Sequence, residues 1–183
     1  MMRLTLLLLI LFLSSTSRTQ TNILEWESGH PLSWRDFRAP VDQGSMHAAA
    51  TYSGVQYTYK YTSDPDLKFS FDAVSFFDKN RSWKNPDRIN EYILAHEQLH
   101  FDISELHARM LRKAFAEKIF SERFEKEIKS IYEQNNASRR KMQTQYDDET
   151  DHSKNAEAQA RWNIHIQQQL DLFNNFRKKS PDQ

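Results

Sequence analysis

The sequence predicts an α+β domain in which a small antiparallel sheet is followed by a long helix and two further helices. Two observations lead to this. From Ala48 to Phe77 the side chains alternate with a period of two, and beyond Trp83 the apolar positions recur with a period near 3.6. A third agrees with them: Gly29, Gly44 and Gly54, the only glycines, lie in the first third, where tight turns between strands belong.

The elements follow in order. Leu32-Ser33-Trp34-Arg35-Asp36-Phe37, between Pro31 and Pro40, spaces Trp34 and Phe37 for one helical turn that plugs the domain. Val55, Tyr57, Tyr59 and Tyr61 alternate with Gln56, Thr58 and Lys60, as in a half-buried strand. Ser63-Asp64-Pro65-Asp66 is a turn cluster, after which Phe69, Phe71 and Ala73 to Phe77 continue the sheet. Asn85-Pro86-Asp87 is a helix start, with Asn85 as cap, proline at the first helical position and an acid at the positive dipole end. Ile89, Ile93, His96, His100, Ile103, His107 and Met110 then share one face. The pattern resumes at Phe120, Phe124, Ile128 and Ile131 and runs to about Tyr146. Asp147 to Asn155 reads as an acidic loop, Trp162, Ile166, Leu170 and Phe173 as a last helix, and Lys178 to Gln183 as a tail.

Composition narrows the function classes. Lys+Arg and Asp+Glu are both 25 in 183 residues, so the formal net charge is zero, unlike the basic excess of a nucleic-acid binder. A mean hydropathy of −0.81 excludes a polytopic membrane protein, and 13% aromatic residues argue against disorder. With no cysteine there is no disulfide, thiolate metal site or cysteine nucleophile.

The amino terminus has the order of a secretory signal. Met1-Met2-Arg3 carries the charge, Leu4 to Leu13 is apolar apart from Thr5, and Ser14-Ser15-Thr16-Ser17 supplies small residues. Ten residues span about 15 Å of helix, half of a hydrocarbon core of roughly 30 Å. Residues 1–17 are therefore expected to be a signal peptide, with a single domain over 24–178, no membrane span after its removal, and a secreted or periplasmic location.

The chemistry lies on the first long helix. His96-Glu97-Gln98-Leu99-His100 is a His-Glu-x-x-His motif, of which this composition yields roughly 0.02 by chance. Residues four apart on a helix are about 40° and 6 Å apart, so both imidazoles can face one metal while Glu97 reaches a water beside it. Ile93, Leu94, Ala95, Gln98, Leu99 and Phe101 surround them with uncharged groups, and two histidines and an acid buried there without a metal would go uncompensated. Zn²⁺ is the expected ion, bound by His96 and His100, with Glu97 as general base. A third ligand is required. His107, about 10 Å further along the axis, cannot close the same site. The candidates are His152, in the loop Tyr146 to His152, and Glu122, Glu125 or Asp147.

The chain resembles a group of bacterial proteins described as predicted secreted zinc-dependent proteases. The matching segments are Leu32 to Phe37, His96 to Ile103, and Tyr146-Asp147 through Thr150 to His152, followed by Gln159 and Trp162. The resemblance implies a zincin-like fold, favours His152 as the third ligand, and implies that Tyr146 or Asp147 supports the site. Ser153 departs from it, since glycine is expected after the histidine.

The expected function is a secreted zinc metallopeptidase acting on a peptide or protein substrate. Zn²⁺ would be held by His96, His100 and His152, with Glu97 as base and Tyr146 or His165 near the oxyanion. The alternative is a non-catalytic zinc-stabilised binding module at the cell surface or in the periplasm.

Overall fold

The computed structural model describes residues 21–63 and 67–178. The signal expected over residues 1–17, most of the turn at 63–66 and residues 179–183 of the tail lie outside them. The architecture is mixed α+β. Strands β1 (Ile23–Glu25), β3 (Ser53–Thr62) and β4 (Lys68–Asp78) form one antiparallel sheet in the order β1-β4-β3. The short strands β2 (Ala49–Ala50) and β5 (Trp83–Lys84) form a second antiparallel pair. Helices α1 (Glu91–Glu117), α2 (Phe124–Thr150) and α3 (Ala156–Leu172) follow, and 3-10 turns occupy Trp34–Asp36 and Asn174–Phe176.

The alternating stretch that begins at Ala48 divides between the two sheets. Tyr52 donates its backbone N–H to the Ser82 hydroxyl, and the Thr51 hydroxyl donates to the Glu97 carbonyl, so the chain turns from β2 into β3 there. From Ser53 the pairing with β4 is unbroken, from Ser53 opposite Phe77 to Thr62 opposite Lys68. The period-two pattern puts Tyr57, Tyr59, Phe69 and Phe71 on one face, where Phe71 stacks on Phe115 of α1 at 4.2 Å between ring centroids.

The helix starts later than its sequence signal. Asn85 accepts the Asp87 N–H at 3.1 Å and Arg88 donates to the Asn85 carbonyl, so Asn85-Pro86 makes a turn. The cap of α1 is Asn90, whose side chain accepts from Ile93 N at 2.9 Å. Both asparagines offer the same local chemistry, and the one followed by an uninterrupted helical run prevails. The second helix runs longer than expected. It continues to Thr150, so Asp147 lies on α2 and not in the following loop.

Helix α1 lies between the sheet and the other two helices. One side packs on Val55 and Ala73, and the other places Leu99, Ile103 and Leu106 against Tyr146, Trp162 and Ile166. Ile103, Leu106 and Leu111 are fully buried; truncating any of them to alanine costs about 2–5 kcal/mol. Three of the charged side chains against this core form one cluster. Glu105 accepts from Arg109 at 3.0 Å, from Arg112 at 3.1 Å and from the Ser75 hydroxyl at 2.7 Å. Arg109 also donates to Leu170 O, and Arg112 to Ala73 O and Phe176 O, which ties the sheet to the end of α3.

Candidate metal centre

Helix α1 brings His96 and His100 one turn apart on the side facing α2 and α3. His96 and Glu97 are buried and His100 nearly so. The imidazoles stand edge to face at 5.0 Å between centroids, and both direct Nε2 at one oxygen of Asp147. Asp147 Oδ1 lies 3.3 Å from His96 Nε2 and 3.0 Å from His100 Nε2. The donor atoms of His96, His100 and Asp147 all lie within 4.8 Å of one another, a group that could hold a metal ion.

The far nitrogen of each ring is also accounted for. His96 Nδ1 donates to Gln159 Oε1 at 2.8 Å, and His100 Nδ1 to Gln143 Oε1. A neutral imidazole whose Nδ1–H is used this way carries its lone pair on Nε2, the form that binds a metal. Gln143 is fixed in turn by donating Nε2 to the His100 carbonyl at 2.8 Å. The Gln159 oxygen accepts a second bond, from the Tyr146 hydroxyl at 2.7 Å.

Electrostatics agree with a cation at this point. Burial disfavours the Asp147 carboxylate, yet the bonds that His100 and His96 donate to it when both ring nitrogens are protonated outweigh that and hold the group well below the usual range. Burial likewise opposes a charge on His100, and the Asp147 carboxylate reverses the balance and raises it. Two imidazole lone pairs and a carboxylate oxygen at this distance repel one another unless a proton or a metal ion lies among them. Glu97 Oε2 is buried beside the same cavity and has no hydrogen-bond partner among the described residues. That orphaned oxygen and the donor set fit a divalent metal with a water next to it.

The other candidates fall elsewhere. His152 follows α2 and is half exposed, its Nδ1 3.7 Å from Asp147 Oδ1, with its ring 4.5 Å from that of His47. It lines the mouth of the site and stands outside the converging group. Asp151, His152 and Ser153 all have positive φ, of 46°, 50° and 75°. Each left-handed non-glycine residue costs about 1–2 kcal/mol, and Ser153 occupies the position where the resemblance implies glycine. Glu122 and Glu125 are exposed and away from the cavity. Tyr146 is fully buried behind the histidines, and its hydroxyl is taken up by Gln159 and by the His96 carbonyl at 3.2 Å. The hydroxyl for which an oxyanion role was expected is thus engaged in the α3 contact, and Tyr146 is not among the residues that line the cavity. His165 is exposed against Trp162 and does not line the cavity.

The cavity holds about 470 Å³. One wall is β2 with its flanking residues Ala48 and Thr51, and the floor is His96, Glu97 and His100. Sequence reasoning did not single out Gln143. Its only sequence signal is its place one helical turn before Asp147 on the same face.

Residues 32–153 match the family described as "Bacterial protein of unknown function (DUF922)". No curated protein and no solved structure matches the chain. Among the described residues, no helix is long and apolar enough to cross a membrane.

Proposed function

We propose that this chain, which belongs to the DUF922 family of bacterial proteins, is an exported zinc-dependent peptidase with a zincin-like arrangement of sheet and active-site helix. His96, His100 and Asp147 would hold the zinc, leaving one position open to solvent or substrate. The observation that carries this reading is the unpartnered, buried Glu97 Oε2 beside three converging donor atoms. A purely structural zinc site has no use for a buried carboxylate that bonds nothing.

Zinc bound there supplies Lewis acidity, which favours ionisation of water and polarises a carbonyl. The chain's own residues do the rest. Glu97 Oε2 takes a proton from the attacking water and hands it to the leaving amine nitrogen, the two halves of general acid–base catalysis. Gln159 and Gln143 keep the imidazoles in the ligating tautomer, and Tyr146 holds Gln159. Strand β2 pairs on one side with β5, and its residues line the cavity, which supports edge pairing with an extended peptide substrate.

Export rests on the charge, apolar run and small residues of positions 1–17. The deciding experiment measures zinc content and casein cleavage side by side in wild type and Glu97→Gln. Zinc with cleavage that depends on Glu97 supports the reading. Zinc without cleavage makes the chain a binding module.

A further inference from the structure

The end of the cavity opposite the metal donors is basic. Arg139 and Arg140 line it together with Thr144, and among the described residues the only acids that line the cavity are Glu97 and Asp147, beside His96 and His100. Arg139, Gln143 and Asp147 are spaced four apart on α2 and so share one stripe of the helix. That spacing puts the Arg139 backbone about 12 Å from that of Asp147 along the axis.

Arg139 is unlike the other semi-buried arginines of this chain. Arg109 and Arg112 are both neutralised by Glu105. Arg139 has only neutral acceptors, Asn136 Oδ1 at 3.1 Å and Ser53 O at 3.2 Å. Among the described residues, no carboxylate lies within 4.0 Å of Arg139 or Arg140. Burial and the adjacent Arg140 both work against the Arg139 charge. A partly desolvated cation with a cationic neighbour gains most from an anion supplied from outside.

From this arrangement we infer that Arg139 and Arg140 form a subsite for a carboxylate of the substrate, two to four residues from the bond cleaved. The distance follows from the chain itself: about 12 Å corresponds to three or four residues of extended peptide at roughly 3.3 Å each, less what the arginine side chains reach. The carboxylate has two sources, an aspartate or glutamate side chain or the terminal carboxylate of a short peptide. The inference deepens the peptidase reading and rests on it for the words "bond cleaved", but the binding it requires can be measured without turnover.

The test uses zinc-loaded Glu97→Gln protein and calorimetry with acetylated decapeptides. One set carries a single Glu moved through a neutral sequence, with Gln as control, and each peptide is made as free acid and as amide. Charge-assisted bonds of this kind correspond to about a ten- to hundredfold gain in affinity. The expected result is such a gain of Glu over Gln at one or two positions in the amides. A gain confined to the free acids assigns the same subsite to a chain terminus. In Arg140→Gln, whose exposed side chain is not needed for folding, the ratio should fall about tenfold, and Arg140→Glu should favour Lys at the same position. Arg139→Lys, which keeps the charge but loses the guanidinium fork, should reduce the ratio less. Equal binding of Glu and Gln, acid and amide, overturns the inference, as does a ratio unchanged in the Arg140 variants. If wild type cleaves none of these peptides and no casein while the Glu/Gln ratio persists, the peptidase reading falls and the carboxylate subsite stands.

Discussion

Tyr146 lies nearly flat against His96, with 4.6 Å between ring centroids and 25° between planes. Its hydroxyl donates to the Gln159 oxygen that also accepts from His96 Nδ1. One tyrosine therefore packs the ring and fixes the group that fixes its tautomer. Burial raises its own ionisation far above the usual phenol range, so it acts as a neutral donor.

Loss of this support should weaken metal binding without removing a ligand. Groups that orient a ligating histidine are typically worth about 10–100-fold in affinity. Gln159→Leu is expected to fall in that range and Tyr146→Phe toward its lower end. Competition with a coloured zinc chelator measures both, and wild-type affinity in Gln159→Leu would mean the contact does not act on the metal.

The ligand set itself is tested by metal content. Purified protein should carry one zinc per chain. His100→Ala and Asp147→Ala should lose it, whereas His107→Ala and His152→Ala should retain it. Zinc retained by Asp147→Ala but lost by His152→Ala would restore the loop histidine as the third ligand.

Glu97→Gln preserves size and polarity and removes the proton acceptor. Casein cleavage should drop by about 10²–10⁴-fold, the usual range for a general base. Zinc content and thermal midpoint should remain near those of wild type, because Glu97 is not among the converging donors. Assaying all three quantities on one preparation separates lost chemistry from lost structure.

His107 supplies a pH dependence remote from the candidate metal centre. It is buried, neither ring nitrogen has a partner among the described residues, and burial with the Arg139 charge pushes its pKa down from 6.5 to about 4. The folded value lies below the unfolded one, so the unfolded chain takes up this proton first as pH falls. Stability is untouched above about pH 6.5, declines between 6.5 and 4, and is level below 4. The full loss is roughly 3 kcal/mol. Urea unfolding of wild type and His107→Gln across that range should show the two curves converging toward low pH. Parallel curves would mean that His107 titrates normally in the folded protein.

Export predicts the first residue of the mature chain. Amino-terminal sequencing of secreted material should begin near Arg18, and material that still carries Leu4 to Leu13 would refute a cleaved signal.

What the sequence by itself determined is what local geometry governs. The alternation of Val55, Tyr57 and Tyr59 makes a strand, and four residues between His96 and His100 place both rings on one side of a helix, whatever surrounds them. Asn85 shows the limit even at this scale, since a cap sequence is equally at home in a turn, and Asn90 starts the helix. The third member of the candidate metal group was open between His152, Glu122, Glu125 and Asp147, and the place of Asp147 depended on where α2 ends. Helix α2 continues to Thr150 because its last turn is buried at Tyr146 and Thr150, with Tyr146 packed against α1 and α3. That packing places Asp147 on the helix, pointing at His96 and His100, and leaves His152 in a strained loop at the mouth. No periodicity along α2 encodes this, because a residue's direction relative to another helix is set by how the helices cross, and only the tertiary structure decides that.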